Sequence, residues 1–194
     1  MRMQPAWQNR KQDVDRYTPE VKAYLASAFI TEATLEQDAM EATDLLVFHV
    51  QPYRVACRIR SFHYWARNHD EFTVRSHYRS GAKTELAKIM DGWGDFMFYG
   101  FSDATENHIH AAVLLDLNVF RQSVTRHQAQ VRESGHGPLE WIVQPNKDGT
   151  NFFQAYKIRS FPPEFVHTSW VRRSDQVVIP VEVRHHSIRL EASA

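Results

Sequence analysis

Apolar and polar positions along the chain fall into a helix, several strands, a second helix, two more strands, a third helix and a β-rich tail. Thr18-Pro19-Glu20 predicts a helix start, with Thr as cap and Pro in the first turn. Val21, Tyr24, Leu25 and Phe29 form its apolar side, to about Ala28. A short strand is expected over Ala28–Glu32, then an acidic loop or helical turn over Leu35–Ala42. Strands follow at about Asp44–Val50 and Arg54–Ser61, read as neighbours joined by a turn at Gln51-Pro52, and a third at Glu71–His77. Phe62–Asp70 reads as an aromatic, polar connection. A helix is expected from Ala82 to Asp91, ended by Gly92. Phe96–Phe101 and His110–Asp116 read as strands, and Asn118 as the cap of a helix to about Arg132. Glu133–Pro138 is the clearest break, followed by Glu140–Val143, a turn at Asn146–Gly149, a strand at Asn151–Ile158 and a β-like tail over Gln176–Leu190.

Helices that connect sheet strands make this an α/β or α+β fold, with a central mixed sheet of about five or more strands flanked by helices. Three parts are expected: a polar N-terminal arm over 1–17, an α/β core over 18–132, and a β-rich extension over 133–194 packed on that core.

Composition changes this picture little. Of 194 residues, 43% are hydrophobic and 24% charged, ordinary for a globular protein. No apolar run approaches the roughly 18 residues of a membrane span, so no membrane partner is expected. The polar N-terminus does not read as a signal peptide. The single cysteine, Cys57, rules out an internal disulfide framework and suggests a reducing, cytoplasmic setting. It reads as a buried structural thiol on the strand face opposite Arg58 and Arg60.

Net charge is zero, but its distribution is uneven. Thr31–Phe48 holds five acids and no Lys or Arg, whereas Arg54–Lys88 holds eight basic residues against three acids. A basic segment behind an acidic one suits a metal-dependent enzyme acting on a polyanion. It equally suits two segments that neutralise each other across a fold. Asp44 stands at a strand entrance, and Arg58 and Arg60, two apart, point to one face of the next strand. They read either as a metal-and-phosphate site or as ion pairs with Asp44 and Glu41.

The helix, strand meander, crossover helix and strand over about 18–117 resemble the PD-(D/E)XK nuclease-like superfamily. "Ala-Thr-Asp44-Leu-Leu-Val" resembles the strand whose Asp holds metal, and "Val-Ala-Cys-Arg58-Ile-Arg60" occupies the strand that carries an acid-x-Lys pair in that family. The chain is also similar to phage and prophage proteins that share its Ala42–Leu45, Cys57–Arg60, Glu71–Ser76 and Gly92–Gly100 blocks. The resemblance implies a restriction-endonuclease-like core and metal-dependent phosphodiester hydrolysis with Mg²⁺ or Mn²⁺. The departure is that arginines replace the acid and lysine, and guanidinium cannot ligate metal. The resemblance then implies Asp44 and Glu85 on the metal, with Glu41, Glu36 and Asp38 as further acids and Lys88 polarising water. Arg58, Arg60 and Arg75 would hold phosphate.

Each residue has a plainer role: Glu85 and Lys88 as a solvated pair at helix spacing, Gly92–Asp95 as a turn with an aromatic plug, His108 and His110 as a surface pair. Tyr64 and Trp65 either stack on an unpaired base or pack under a loop. The alternative to a nuclease is a catalytically inactive protein on the same fold, gripping nucleic acid or a host or virion protein. Expected partners are nucleic acid, DNA ahead of RNA, a protein engaged by the C-terminal segment, and a second copy of the chain.

Overall fold

A computed structural model describes residues 15–32, 45–47, 52–78, 81–146, 149–172 and 179–181. The elements in chain order are α1 (Thr18–Phe29), β1 (Ile30–Glu32), β2 (Leu45–Val47), β3 (Val55–Arg60), α2 (Phe62–Asn68), β4 (Glu71–Tyr78) and α3 (Glu85–Met90). They continue with β5 (Phe96–Ser102), β6 (Ile109–Asp116), α4 (Leu117–Ser134), β7 (Trp141–Pro145), β8 (Asn151–Lys157), β9 (Val166–Val171) and β10 (Ile179–Val181). Short 3-10 turns at Ile158–Ser160 and Pro163–Phe165 link β8 to β9.

The fold is α+β. A mixed five-stranded sheet has the order β10-β9-β6-β5-β3, and a three-stranded sheet has the order β4-β8-β7. Among the described strands only β3 and β5 pair in parallel; the remaining ladders of both sheets are antiparallel. β5 is buried at every position, because it is covered on both faces and so reads as an unbroken apolar run. Its Phe96 and Phe98 join Tyr24, Val21 and Trp170 beneath α1. Its Met97, Tyr99 and Phe101 face Phe72, Tyr156 and Phe120, which come from the second sheet and α4. α4 contributes Leu117, Phe120, Val124 and His127 at helical spacing.

The strand pairing differs from the sequence expectation. β2 pairs with β1 in a two-stranded sheet of its own, while β3 joins the larger sheet and β4 the smaller. The expected hairpin across Gln51-Pro52 and the three-strand meander are therefore not what the described strands form. Local alternation marks a strand but not its partner, and β4 finds its own in β8, more than 70 residues on. The segment after the break at Gly135 supplies strands to both sheets. No helix among the described residues is long and apolar enough to cross a membrane.

Three smaller expectations also change. Phe62–Asn68 is a helix rather than an irregular connection. Cys57 is exposed rather than buried. His110 is not a surface residue: it is packed edge-on by Phe62 and Trp65, and burial lowers its pKa, while His108 pairs with Glu20 at 2.6 Å.

The Gly92–Asp95 turn locks β3, α3 and α4 together. Gly92 and Gly94 take φ of +87° and +81°, where side chains are strained, and a Cβ on Gly94 would meet Leu117 Cδ1 at 3.0 Å. Asp95 accepts from Arg54 backbone N at 2.7 Å and from its guanidinium at 3.1 Å. These bonds hold the Asp95 carboxyl below the usual range. A lowered folded pKa means that the stabilisation is complete above the unfolded value of about 3.9 and is lost as pH falls through the folded value. Wild type should therefore exceed Asp95→Asn in urea midpoint at neutral pH, and the gap should close as the pH is taken below about 4.

Candidate functional site: an arginine and aromatic cleft between the sheets

Arg58 and Arg60 leave the same face of β3, as strand alternation requires, and both approach the second sheet. Their environments then diverge. Arg58 donates from Nη1 to the Thr73 carbonyl at 2.6 Å and Thr73 Oγ1 at 3.1 Å, and from Nη2 to Glu85 Oε2. The same Glu85 oxygen accepts the Arg75 backbone N–H at 3.0 Å. Thr73 Oγ1 continues the chain of bonds to Tyr99 OH at 3.2 Å. Glu85 is positioned by Thr84, which caps α3 by accepting from Ala87 N at 3.1 Å. One carboxylate thus joins β3 of the first sheet, β4 of the second and the start of α3. Arg58 and Glu85 side chains are only 16% and 27% exposed, so this pair lies largely out of solvent.

Arg60 is different. Its guanidinium lies 3.9 Å from the centre of the Tyr64 ring, and it makes no hydrogen bond or ion pair among the described residues. Its Nε is buried without a partner. An arginine sequestered without an anion is costly, because a buried donor forfeits its bond to water. It stands in a cleft of about 170 Å³ between the sheets. Tyr99, Phe101, Phe153 and Tyr64 supply aromatic walls, and Asn68, Glu71, Thr73 and Gln144 supply polar groups. Glu71, 9% exposed, is held by Lys157 Nζ at 2.7 Å. Arg75 closes the aromatic layer: its guanidinium lies over Phe153 at 5.4 Å and donates to Tyr78 OH at 2.6 Å.

The structure thus gathers Arg58, Arg75 and Glu85 into one network and sets Arg60 beside it. Lys88 is not brought to Glu85. It is exposed, with Nζ 6.0 Å from the Trp93 ring. Asp44 and Glu41, like Glu36 and Asp38, lie outside the described residues. Of the proposed metal set only Glu85 is described, and its Oε2 accepts from the Arg58 guanidinium and the Arg75 backbone N–H. Among the described residues, no three His, Cys, Asp or Glu side chains cluster as metal ligands.

Tyr64 was visible in the sequence as one of two aromatic candidates. Trp65 turns inward against Phe101 and His110, and Tyr64 stays 42% exposed beneath Arg60. Tyr99, Phe153, Gln144 and Glu71 had no local signal, because they reach the cleft from β5, β8, β7 and β4. The chain matches no protein-family model, no curated protein and no solved structure.

Proposed function

We propose that this protein binds nucleic acid, with the inter-sheet cleft taking a phosphate and an adjoining unpaired base. The observation that carries this reading is Arg60: a partly buried guanidinium stacked on an accessible tyrosine, with no ion pair among the described residues. Arginine presents a planar donor fork suited to phosphate, and aromatic rings beside it accept a base face. Arg75 and Arg58 add positive charge around Phe153. The reading favours binding over hydrolysis, because Glu85 Oε2 is engaged as an acceptor by the Arg58 guanidinium and the Arg75 backbone N–H. An exposed thiol at Cys57 suits the reducing cytoplasm. Metal-dependent cleavage would need Asp44 and Glu41, and a test in chelator addresses it directly.

The test is fluorescence anisotropy of a labelled single-stranded oligonucleotide titrated with wild type and Arg60→Ala. A charge-assisted phosphate contact is worth about 1.5–3 kcal/mol. Arg60→Ala is therefore expected to weaken binding roughly 10- to 150-fold and to flatten the salt dependence by about one phosphate contact. Equal binding by the two proteins would remove Arg60, and with it the cleft, from the account.

A further inference from the structure

The Gly92–Asp95 turn was expected to bury its tryptophan as a plug, and it does the opposite. Trp93 is 59% exposed, the most exposed large apolar side chain among the described residues. Its backbone is nevertheless tightly held. Trp93 N–H donates to Lys88 O at 3.0 Å, and Gly92 N–H to Ile89 O at 2.9 Å. Arg54 donates to Gly92 O at 3.1 Å, and Arg121 to Gly94 O at 3.2 Å. An indole displayed on a fixed backbone gives contact area at little ordering cost, the property of a binding anchor rather than of a loose loop.

Its surroundings select the ligand. The ammonium groups of Lys83 and Lys88 lie 5.9 Å and 6.0 Å from the ring centre. Lys83 is paired with Asp91, while Lys88 makes no ion pair among the described residues. An aromatic face with a spare ammonium beside it fits a base stacked on the ring and its phosphate on the lysine. Glu85 and Lys88 stand three residues apart on α3, so the Arg58–Glu85 network sits at the start of the short helix whose last turn carries Lys88 and leads into the Trp93 turn.

We infer that Trp93, with Lys88 as its phosphate contact, is a second base-stacking platform for a single strand whose other contact is the Arg60 cleft. This rests on the nucleic-acid reading above, and extends it to a single-stranded ligand spanning more than one nucleotide.

The experiment titrates a fluorescein-labelled oligothymidylate of about 20 nucleotides with full-length wild type, Trp93→Ala, Trp93→Phe, Lys88→Ala and Arg60→Ala. Loss of one stacked base is worth roughly 5- to 150-fold in affinity. Trp93→Ala should show a loss in that range, Trp93→Phe should recover part of it, and wild-type tryptophan emission should be quenched in a way that Trp93→Phe abolishes. Lys88→Ala should reduce the salt slope by about one contact. Because the indole is exposed, the Trp93 variants should keep the wild-type denaturation midpoint. Wild-type affinity in Trp93→Ala, alongside weakened binding in Arg60→Ala, would overturn the platform and leave the cleft. No binding by wild type would overturn both.

Discussion

Glu85→Ala should destabilise the protein by about 3 kcal/mol, measured as a drop in urea midpoint at neutral pH in chelator. The expectation follows from where Glu85 sits. Removing it leaves the Arg58 guanidinium, 16% exposed, without its anion, and the Arg75 N–H without its acceptor. Breaking one side of a largely buried pair costs more than the pair contributes, because the remaining charge stays desolvated. Glu85→Gln keeps an acceptor for both donors and should cost about half as much. A double-mutant cycle with Arg58→Met should return a coupling of at least 1 kcal/mol, since each partner's loss is then shared. A metal-ligating carboxylate behaves in the opposite sense. Held beside other acids in chelator, it is repelled, and its removal would leave stability unchanged or raise it.

The largest loss of stability should come from Phe72→Ala, at about 3–5 kcal/mol in the same assay. Phe72 is fully buried on β4 and stacks on Tyr156 at 5.4 Å between ring centres. Phe165, Phe120 and Tyr99 surround it at 5.2, 5.7 and 6.4 Å. Those rings come from β8, the turn before β9, α4 and β5, so this one side chain joins both sheets and the helix that covers them. Truncation leaves a ring-sized void that so many rigid neighbours cannot fill by collapse. Phe72→Leu keeps most of the volume and should cost less than half as much. Because Tyr99 is also a wall of the cleft, the alanine variant should weaken oligonucleotide binding even under conditions where it remains folded.

Much of the local structure was legible in the sequence. Alternation in Glu71–His77 and the apolar run at Phe96–Phe101 marked β4 and β5, and Pro19 with the apolar spacing after it marked α1. Ends were less well placed. Asp116, not Asn118, caps α4, accepting from Asn118 N at 2.7 Å and Val119 N at 3.1 Å, and Thr84 caps α3 where the expected helix began at Ala82. An Asp that closes a strand and caps a helix serves two elements at once, so its place in one hides its role in the other.

The candidate site was legible only in part. Arg58, Arg60, Arg75 and Glu85 were each singled out, and the structure brings them to one region. Their roles were not readable, because they depend on which sheet each strand enters. With β3 and β4 in one meander, Glu85 would be a spare acid beside a metal. With β4 in a separate sheet facing β3, Glu85 becomes the link between the two, and Arg60 is left with a cleft to itself. Spacing of two put the arginines on one face; only tertiary packing separated Arg58, paired with Glu85, from Arg60, which has no ion pair among the described residues.

A binding cleft of this kind should take nucleic acid without metal. The most direct measurement is anisotropy of a labelled single-stranded oligonucleotide with wild type, in EDTA and in Mg²⁺ or Mn²⁺, the oligonucleotide being recovered and sized afterwards. Binding should be comparable in EDTA and with metal, weakened roughly 10- to 150-fold in Arg60→Ala, with intact oligonucleotide throughout. Binding that appears only with the divalent ion, or cleavage that Glu85→Gln abolishes, would contradict this expectation and make Glu85 a metal ligand.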